Sequence, residues 1–457
     1  VARRRPLSFS LPIGIGLGLL QALSTDSLDG ALRRIDAAYP RLAAVRQDLA
    51  SAAGKARERR GAFDPSFTLT YEAMRYNTPS SRGKAYDYTA LNPSLQWLTP
   101  SGLTYFAGSR LNGGVPKSPL SATGETGEYY VGVRLPLLRD LGINEKSVAL
   151  RQAELSIPYA ERNVSTYRLG ILRDGATAYW GWVAAGERLG IARELTALAR
   201  QREDQVRRRF EAGDEREMSV VEARAETRRR EGLEAQAERD LQKAAIRLSV
   251  FLNGPPGAPP PLPAPQTPVV SAEEAEAQAE RRRPEFGAIT LMRRIVEYDL
   301  ALADNVRKPI LDLSLTAGYD TGPLGVGPTP KLSLTYSIPL RQNVANGRRE
   351  DAQARLRKID LDRQGLLLAV RAEVADALSA TRLSLERLEA ARREQTEARR
   401  LLRMERRGFE LGEGTLFLLN QRERAAAEAD SRVVDALAEY HQSVAAFRAA
   451  TGELLTP

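Results

Sequence analysis

The spacing of hydrophobic positions switches between two periods four times along the chain. From Ser27 to Gly61 an Ala/Leu/Arg-rich pattern predicts helix, interrupted at Pro40, with Asp26 or Asp29 placed to cap its start. After Asp64-Pro65 the period becomes two. Phe67, Leu69, Tyr71 and Ala73 fall on one face of a strand over Ser66–Tyr76, and Ser66, Thr68, Thr70 and Glu72 on the other. Tyr88–Leu98 repeats the alternation, with Leu91, Leu95 and Trp97 opposed to Asn92, Ser94 and Gln96. Leu103–Leu111 shows it more weakly. Glu128–Leu138 shows it cleanly, through Tyr129, Val131, Val133, Leu135 and Leu137. Thr99-Pro100-Ser101-Gly102 has the composition of a tight turn. The connections at 77–87 and 112–127 are longer and rich in Gly, Ser, Thr, Asn and Pro.

From Asn144 to Phe210 the chain reads as one helix, on the order of 100 Å long at ~1.5 Å per residue. Pro158 is expected to kink or interrupt it, because proline removes a ladder hydrogen bond. A break at Glu211-Ala212-Gly213-Asp214 leads into a return helix from Met218 to Asn253. Residues 254–271, dense in proline, predict an extended linker without regular structure.

The same order then recurs. Arg283-Pro284-Glu285-Phe286 opens a helix as Tyr39-Pro40-Arg41-Leu42 does. Leu311, Leu313, Leu315, Ala317 and Tyr319 alternate with polar residues, and a further strand covers Lys331–Leu340. Ser337-Ile338-Pro339-Leu340 matches Arg134-Leu135-Pro136-Leu137. A second long helix, Asn346–Phe409, breaks at Phe409-Glu410-Leu411-Gly412 and returns over Leu416–Thr451. The paired residues Phe210 and Phe409 lie 199 positions apart. A fixed order of elements at a long period marks a duplicated architecture. The return helix carries Val433, Ala436, Leu437, Tyr440, Val444 and Phe447 on one stripe, and Ala-rich seams suit close antiparallel helix packing. The expected division is a signal segment over 1–24, a first repeat over 25–254, the linker over 255–271 and a second repeat over 272–457.

Composition narrows the function classes. The 457 residues include no Cys and one His. That excludes disulfides, thiolate metal sites, thiol catalysis and a lipid-modified cysteine within this sequence. It also excludes a multi-His metal site, and any Ser-His-Asp triad would depend on His441. His441 lies mid-helix and reads as a packing residue. Lys and Arg total 67 against 58 Asp and Glu, a net charge of +9. The arginine clusters are interleaved with acids, as on solvated helix faces rather than a nucleic-acid surface. Mean hydropathy is −0.37, against a polytopic helical membrane protein but not against a β-barrel. Residues 63–140 hold 11 of the 28 aromatic side chains, a concentration that fits interfacial girdles better than it fits a soluble β-sandwich. Arg3–Arg5, the apolar run Ile13–Leu23, and Ala22 and Ser24 read as an exported protein's signal segment.

Taken together, the Leu135-Pro136-Leu137-Leu138-Arg139-Asp140-Leu141-Gly142 junction, the Ala178-Tyr179-Trp180-Gly181-Trp182 stretch, the tips Arg209–Gly213 and Gly408–Gly412 and the twofold repeat resemble the TolC-type outer-membrane efflux proteins, over roughly residues 27–452. The resemblance implies a mainly α fold with a β-barrel portion. Three chains would form an α-helical tunnel of long antiparallel coiled-coil helices and one shared transmembrane β-barrel. It implies a homotrimer in outer-membrane lipid, a periplasmic adaptor (membrane fusion) protein, and an inner-membrane pump of RND or ABC type. It implies no catalytic residue, cofactor, metal or nucleic acid. Adaptor docking and the closing aperture would fall on the tips: Phe210, Gly213, Asp214, Met218 and Val220, with Phe409, Gly412, Glu413, Leu416 and Leu418. Glycine there would permit the left-handed conformation of a tight reversal.

Two departures stand out. Four strands per chain is the usual family plan, and here 88–98 with 103–111 is either an extra barrel pair or a surface hairpin. Several relatives carry a ring of Asp just beyond the second tip, whereas Glu413–Gln421 has none, so closure by apolar and amide packing is expected. The alternative reading is a soluble coiled-coil scaffold, which predicts neither alternating strands nor an export signal. The exported cargo is not encoded in any of these features.

Overall fold

The computed structural model describes residues 27–77, 83–116, 122–266, 270–323, 326–411 and 413–455. The expected signal segment lies outside them. In chain order the helices are α1 (Leu28–Ala38), α2 (Pro40–Arg60), α3 (Glu145–Glu211), α4 (Glu217–Leu252), α5 (Ala272–Arg282), α6 (Pro284–Val306), α7 (Asn343–Glu410) and α8 (Leu416–Ala450). The strands are β1 (Ser66–Tyr76), β2 (Tyr86–Leu98), β3 (Thr104–Gly114), β4 (Glu128–Pro136), β5 (Ile310–Asp320), β6 (Gly327–Pro328) and β7 (Lys331–Ser337). The chain divides into two compact units.

One unit comprises Asp48–Arg162 and Gly287–Gln364 and holds every strand. The strands form one antiparallel sheet in the order β1-β2-β3-β4-β5, with β6 and β7 both on the far edge of β5. The sequence admits the second and third strands either as an extra barrel pair or as a surface hairpin. The structure places them inside the sheet, β2 paired along β1 from Gln96 to Tyr86 and β3 along β4 from Thr104 to Arg110.

Register carries the alternation across the whole sheet. Phe67 faces Leu95 and Leu95 faces Ala107; Ala107 faces Val131, and Val131 faces Ala317. This face is apolar and exposed: Phe67, Leu69, Tyr71, Trp97, Tyr129, Val131, Leu332 and Leu334 all lie open. Thr68, Ser94, Arg134, Ser314 and Ser333 lie on the other face, where Arg110 pairs with Glu128 and Arg134 with Asp312. The strands end earlier than the pattern predicts, β4 at Pro136 and β7 at Ser337, both opposite the start of β5.

At the start of α3, Asn144 accepts from the Ser147 amide (2.9 Å) while the Ser147 hydroxyl accepts from the Asn144 amide (3.0 Å), a reciprocal cap. Pro158 does not interrupt α3, which runs unbroken for 67 residues. One missing donor leaves the i→i−4 bonds on either side intact.

The other unit comprises residues up to Gln47, Asn163–Phe286 and the chain from Gly365. Its main core joins Ile35, Leu42, Tyr179, Trp182, Leu248 and Leu252. A second core joins Ala275, Phe286, Val370, Val374 and Phe447. The duplication is visible in the caps. Ser27, rather than Asp26 or Asp29, caps α1 by accepting from Gly30 N (3.2 Å), and Ser271 caps α5 by accepting from Glu274 N (3.2 Å). Both helices stop one residue before a proline, at Tyr39 and Arg283, each with an extended backbone, as residues preceding proline adopt.

The proline-rich linker has no regular structure among its described residues, yet it is held. Leu262 N donates to Glu187 Oε1 (3.3 Å), Tyr440 Oη donates to the Gln266 carbonyl, and His441 Nε2 bonds the Pro263 carbonyl (2.9 Å).

The paired helical tips as the candidate functional site

Each long helix reverses into its partner through a short turn. At the first, Asp214 N donates to Arg209 O and Gly213 N to Phe210 O, both at 2.9 Å. This pair of bonds closes the end of α3 and needs a left-handed residue, which Gly213 supplies at φ +85°. At the second, Glu413 N donates to Gly408 O (2.9 Å), the same bond 199 residues later. Gly412 lies outside the described residues. Thr415 caps α8 by accepting from Leu418 N (3.2 Å). Before α4, Glu215 accepts from Arg216 N and Ser219 Oγ. These bonds hold its carboxyl below the ordinary carboxylate value.

The expected site residues separate into two groups. Val220 is buried, and with Val206 and Ala223 it receives the partly buried Leu416, so one apolar cluster ties the two hairpins together. Phe409 and Leu418 are half-buried. Met218, at 70% exposure, stands outward with Phe210, Gly213, Asp214 and Glu413. A cleft of about 490 Å³ lies between the hairpins, lined by Leu198, Arg202, Val206, Arg406, Phe409 and Leu419.

The interior beneath the tip is not apolar and amide alone. Below the apolar cluster lies a buried ionic hub. Glu423 on α8 is 1% exposed. Its carboxylate takes two bonds from the Arg202 guanidinium (2.5 and 2.7 Å) and one from Arg230 Nη2 (3.0 Å). Arg230, itself 2% exposed, also bonds Glu226 (2.9 Å) and the Leu195 carbonyl (3.1 Å). Arg406 approaches the Glu423 carboxylate at 3.8 Å, and Asn420 accepts from Arg202 (3.2 Å). The hub thus draws on α3, α4, α7 and α8. Burial alone would push the Glu423 carboxyl up. The hydrogen bond and charge of Arg202, then those of Arg230, outweigh burial and hold it below the ordinary value.

Sequence reasoning missed this hub, though a signal existed. Val220, Ala223, Thr227 and Arg230 share one helical stripe, as do Leu416, Leu419, Asn420 and Glu423. A charge standing in an apolar stripe on each of two helices that return beside each other marks a buried pair.

Among the described residues no group of His, Asp and Glu could hold a metal ion, and no helix is long and apolar enough to cross a membrane. The profile of the outer membrane efflux protein family matches residues 112–254 and 276–453. The chain belongs to this family. No curated protein sequence gives a match. Among solved structures the efflux-family fold recurs in the outer-membrane channel OprN, with a TM-score of 0.70 and 16% identity over 94% of this chain and 91% of that one. The Campylobacter jejuni CmeC outer membrane channel gives 0.68 and 14% over 93% and 85%. The open state of the Neisseria gonorrhoeae MtrE outer membrane channel gives 0.64 and 15% over 93% and 89%. At these identities the likeness is one of fold.

Proposed function

We propose that this efflux-family chain is an exit duct in the outer membrane, built as a homotrimer and making no covalent change to what passes through it. The observation that carries the reading is the sheet. It is apolar on its exposed face and polar on the other, and it ends in two unpaired edges. Open edges do not face lipid, because each unpaired backbone group costs several kcal/mol in hydrocarbon. A second and third copy supply the missing neighbours. Helices of this length then suit a conduit that continues through the periplasm.

The tips are the end that a periplasmic adaptor would meet. Exposed Phe210, Gly213, Asp214, Met218 and Glu413 are assigned to docking. Val220, Leu416, Leu418, Phe409 and the reversal at Gly412 are assigned to closure. An inner-membrane pump of RND or ABC type would supply the energy. The adaptor opens the duct only by binding the open tip more tightly than the closed one.

The reading is tested by expressing the full chain, separating membranes and measuring mass in mild detergent. Recovery as a trimer from the outer-membrane fraction is expected. Recovery as a monomer, or in the soluble fraction as a coiled-coil scaffold would be, sinks it.

A further inference from the structure

The β2–β3 pair sits in the middle of the sheet, whereas a four-strand plan has no place for it. Three observations treat it as wall rather than ornament. It is hydrogen-bonded on both flanks, to β1 and to β4. Its outward residues Leu91, Leu95, Trp97, Tyr105 and Ala107 continue the apolar face of the neighbouring strands, and Trp97 packs on Tyr105 at 5.9 Å, as an interfacial aromatic row does. Its tight turn is fixed at the helix end of the sheet. Gly142 N donates to Ser101 O (2.9 Å), Asn144 Nδ2 donates to Pro100 O (3.4 Å), and a Cβ on Gly102 would collide with the Asp140 carbonyl. Short turns at the periplasmic end and longer outer connections are the rule for such barrels.

β6 and β7 share one edge of β5 and count as a single interrupted strand. Each copy therefore offers six wall strands, with β1 and β7 as antiparallel free edges. We infer that three copies close an 18-stranded barrel, β1 of each pairing with β7 of the next. The inference rests on the trimeric reading above. With strands ~4.8 Å apart and tilted ~40°, the wall has a backbone radius of ~18 Å, against ~12 Å for a four-strand plan. Allowing ~5 Å of side chain per wall, half the spacing of packed sheets, the bore is ~26 Å rather than ~14 Å. A helix with its side chains is ~10–12 Å across. The wider bore admits two helices of polypeptide side by side. The narrower one admits a single helix with almost no water.

The test uses the cysteine-free full chain. Fluorophores are placed one at a time at Leu95→Cys and Ala107→Cys, and at Ser94→Cys and Gln96→Cys. Each variant is reconstituted in brominated-lipid vesicles and separately titrated with aqueous iodide. Electron cryo-microscopy of the particles in lipid nanodiscs gives the wall diameter. Expected are trimers, lipid quenching only at 95 and 107, iodide quenching only at 94 and 96, and a backbone diameter of ~36 Å. Trimers with a ~24 Å wall, or with iodide reaching 95 and 107, overturn the 18-stranded barrel and leave the trimeric duct standing. Particles that are not trimeric overturn both.

Discussion

Glu423 is the most constrained side chain at the tip. Changing it to Gln keeps its shape but removes the carboxylate that Arg202 pairs with and leaves Arg230 with Glu226 alone. Breaking a buried pair in this way costs ~3–5 kcal/mol. Limited proteolysis of E423Q should show faster cutting at the two tip turns than in the parent chain. The surface pair Arg432–Glu394 serves as control, since E394Q removes an exposed contact worth about 0–1 kcal/mol. The hub also sets a pH dependence. Because the Glu423 carboxyl is held below its ordinary value in the fold, its contribution is complete above the unfolded carboxylate range. It is lost as pH falls through the lowered value. Protease sensitivity at the tip should therefore rise on acidification below the carboxylate range and stay flat above it. His441 follows the same sign at higher pH. Burial lowers its pKa, partly offset by its bond to the Pro263 carbonyl. The ring stacks on Trp180 at 4.4 Å. Indole emission should change as pH drops below 6.5, where protonating the ring begins to favour loosening the linker, and H441F should abolish that change.

At the scale of elements, the helices and strands were largely legible because each uses one period throughout. Tyr129–Leu135 alternates without a break, and β4 covers it. The reversals were legible too, since Gly213 is placed where only a left-handed residue closes the turn. Gly213→Ala should cost about 1–2 kcal/mol in that turn. Hydrogen exchange of the Asp214 amide, now donating to Arg209, should accelerate, while the tip of the second hairpin is unchanged. What did not read from pattern depends on a partner element. Whether Leu95 lies against lipid or lines a surface hairpin is decided by Phe67 and Ala107 on the adjacent strands. Strand alternation is identical in both cases. The Glu423 hub was hidden for the same reason, as Arg202 and Arg230 come from residues about two hundred positions away.

At the scale of the whole molecule, the duplication was legible from the matched tips and helix starts. The repeat does not coincide with the compact units, because each repeat contributes strands to one unit and tips to the other. The proposed trimer can be tested at the edges of the sheet. Cysteines at Thr68 on β1 and, in turn, at Ser333 and Thr335 on β7 should cross-link neighbouring copies into a covalent trimer on denaturing gels. One of the two pairings should react faster, because the register of two strands allows only one close approach. Neither T68C nor S333C alone should do so.

The turn at Thr99–Leu103 also bears on how such a molecule could have come about. An inserted β-hairpin leaves and re-enters the membrane on the same side. Every helix that follows keeps its direction. A single added strand would send the rest of the chain to the opposite side of the bilayer. In the proposed trimer, bore would therefore change in steps of two strands per copy, six per assembly. Each step would be available to a lineage without reversing any helix.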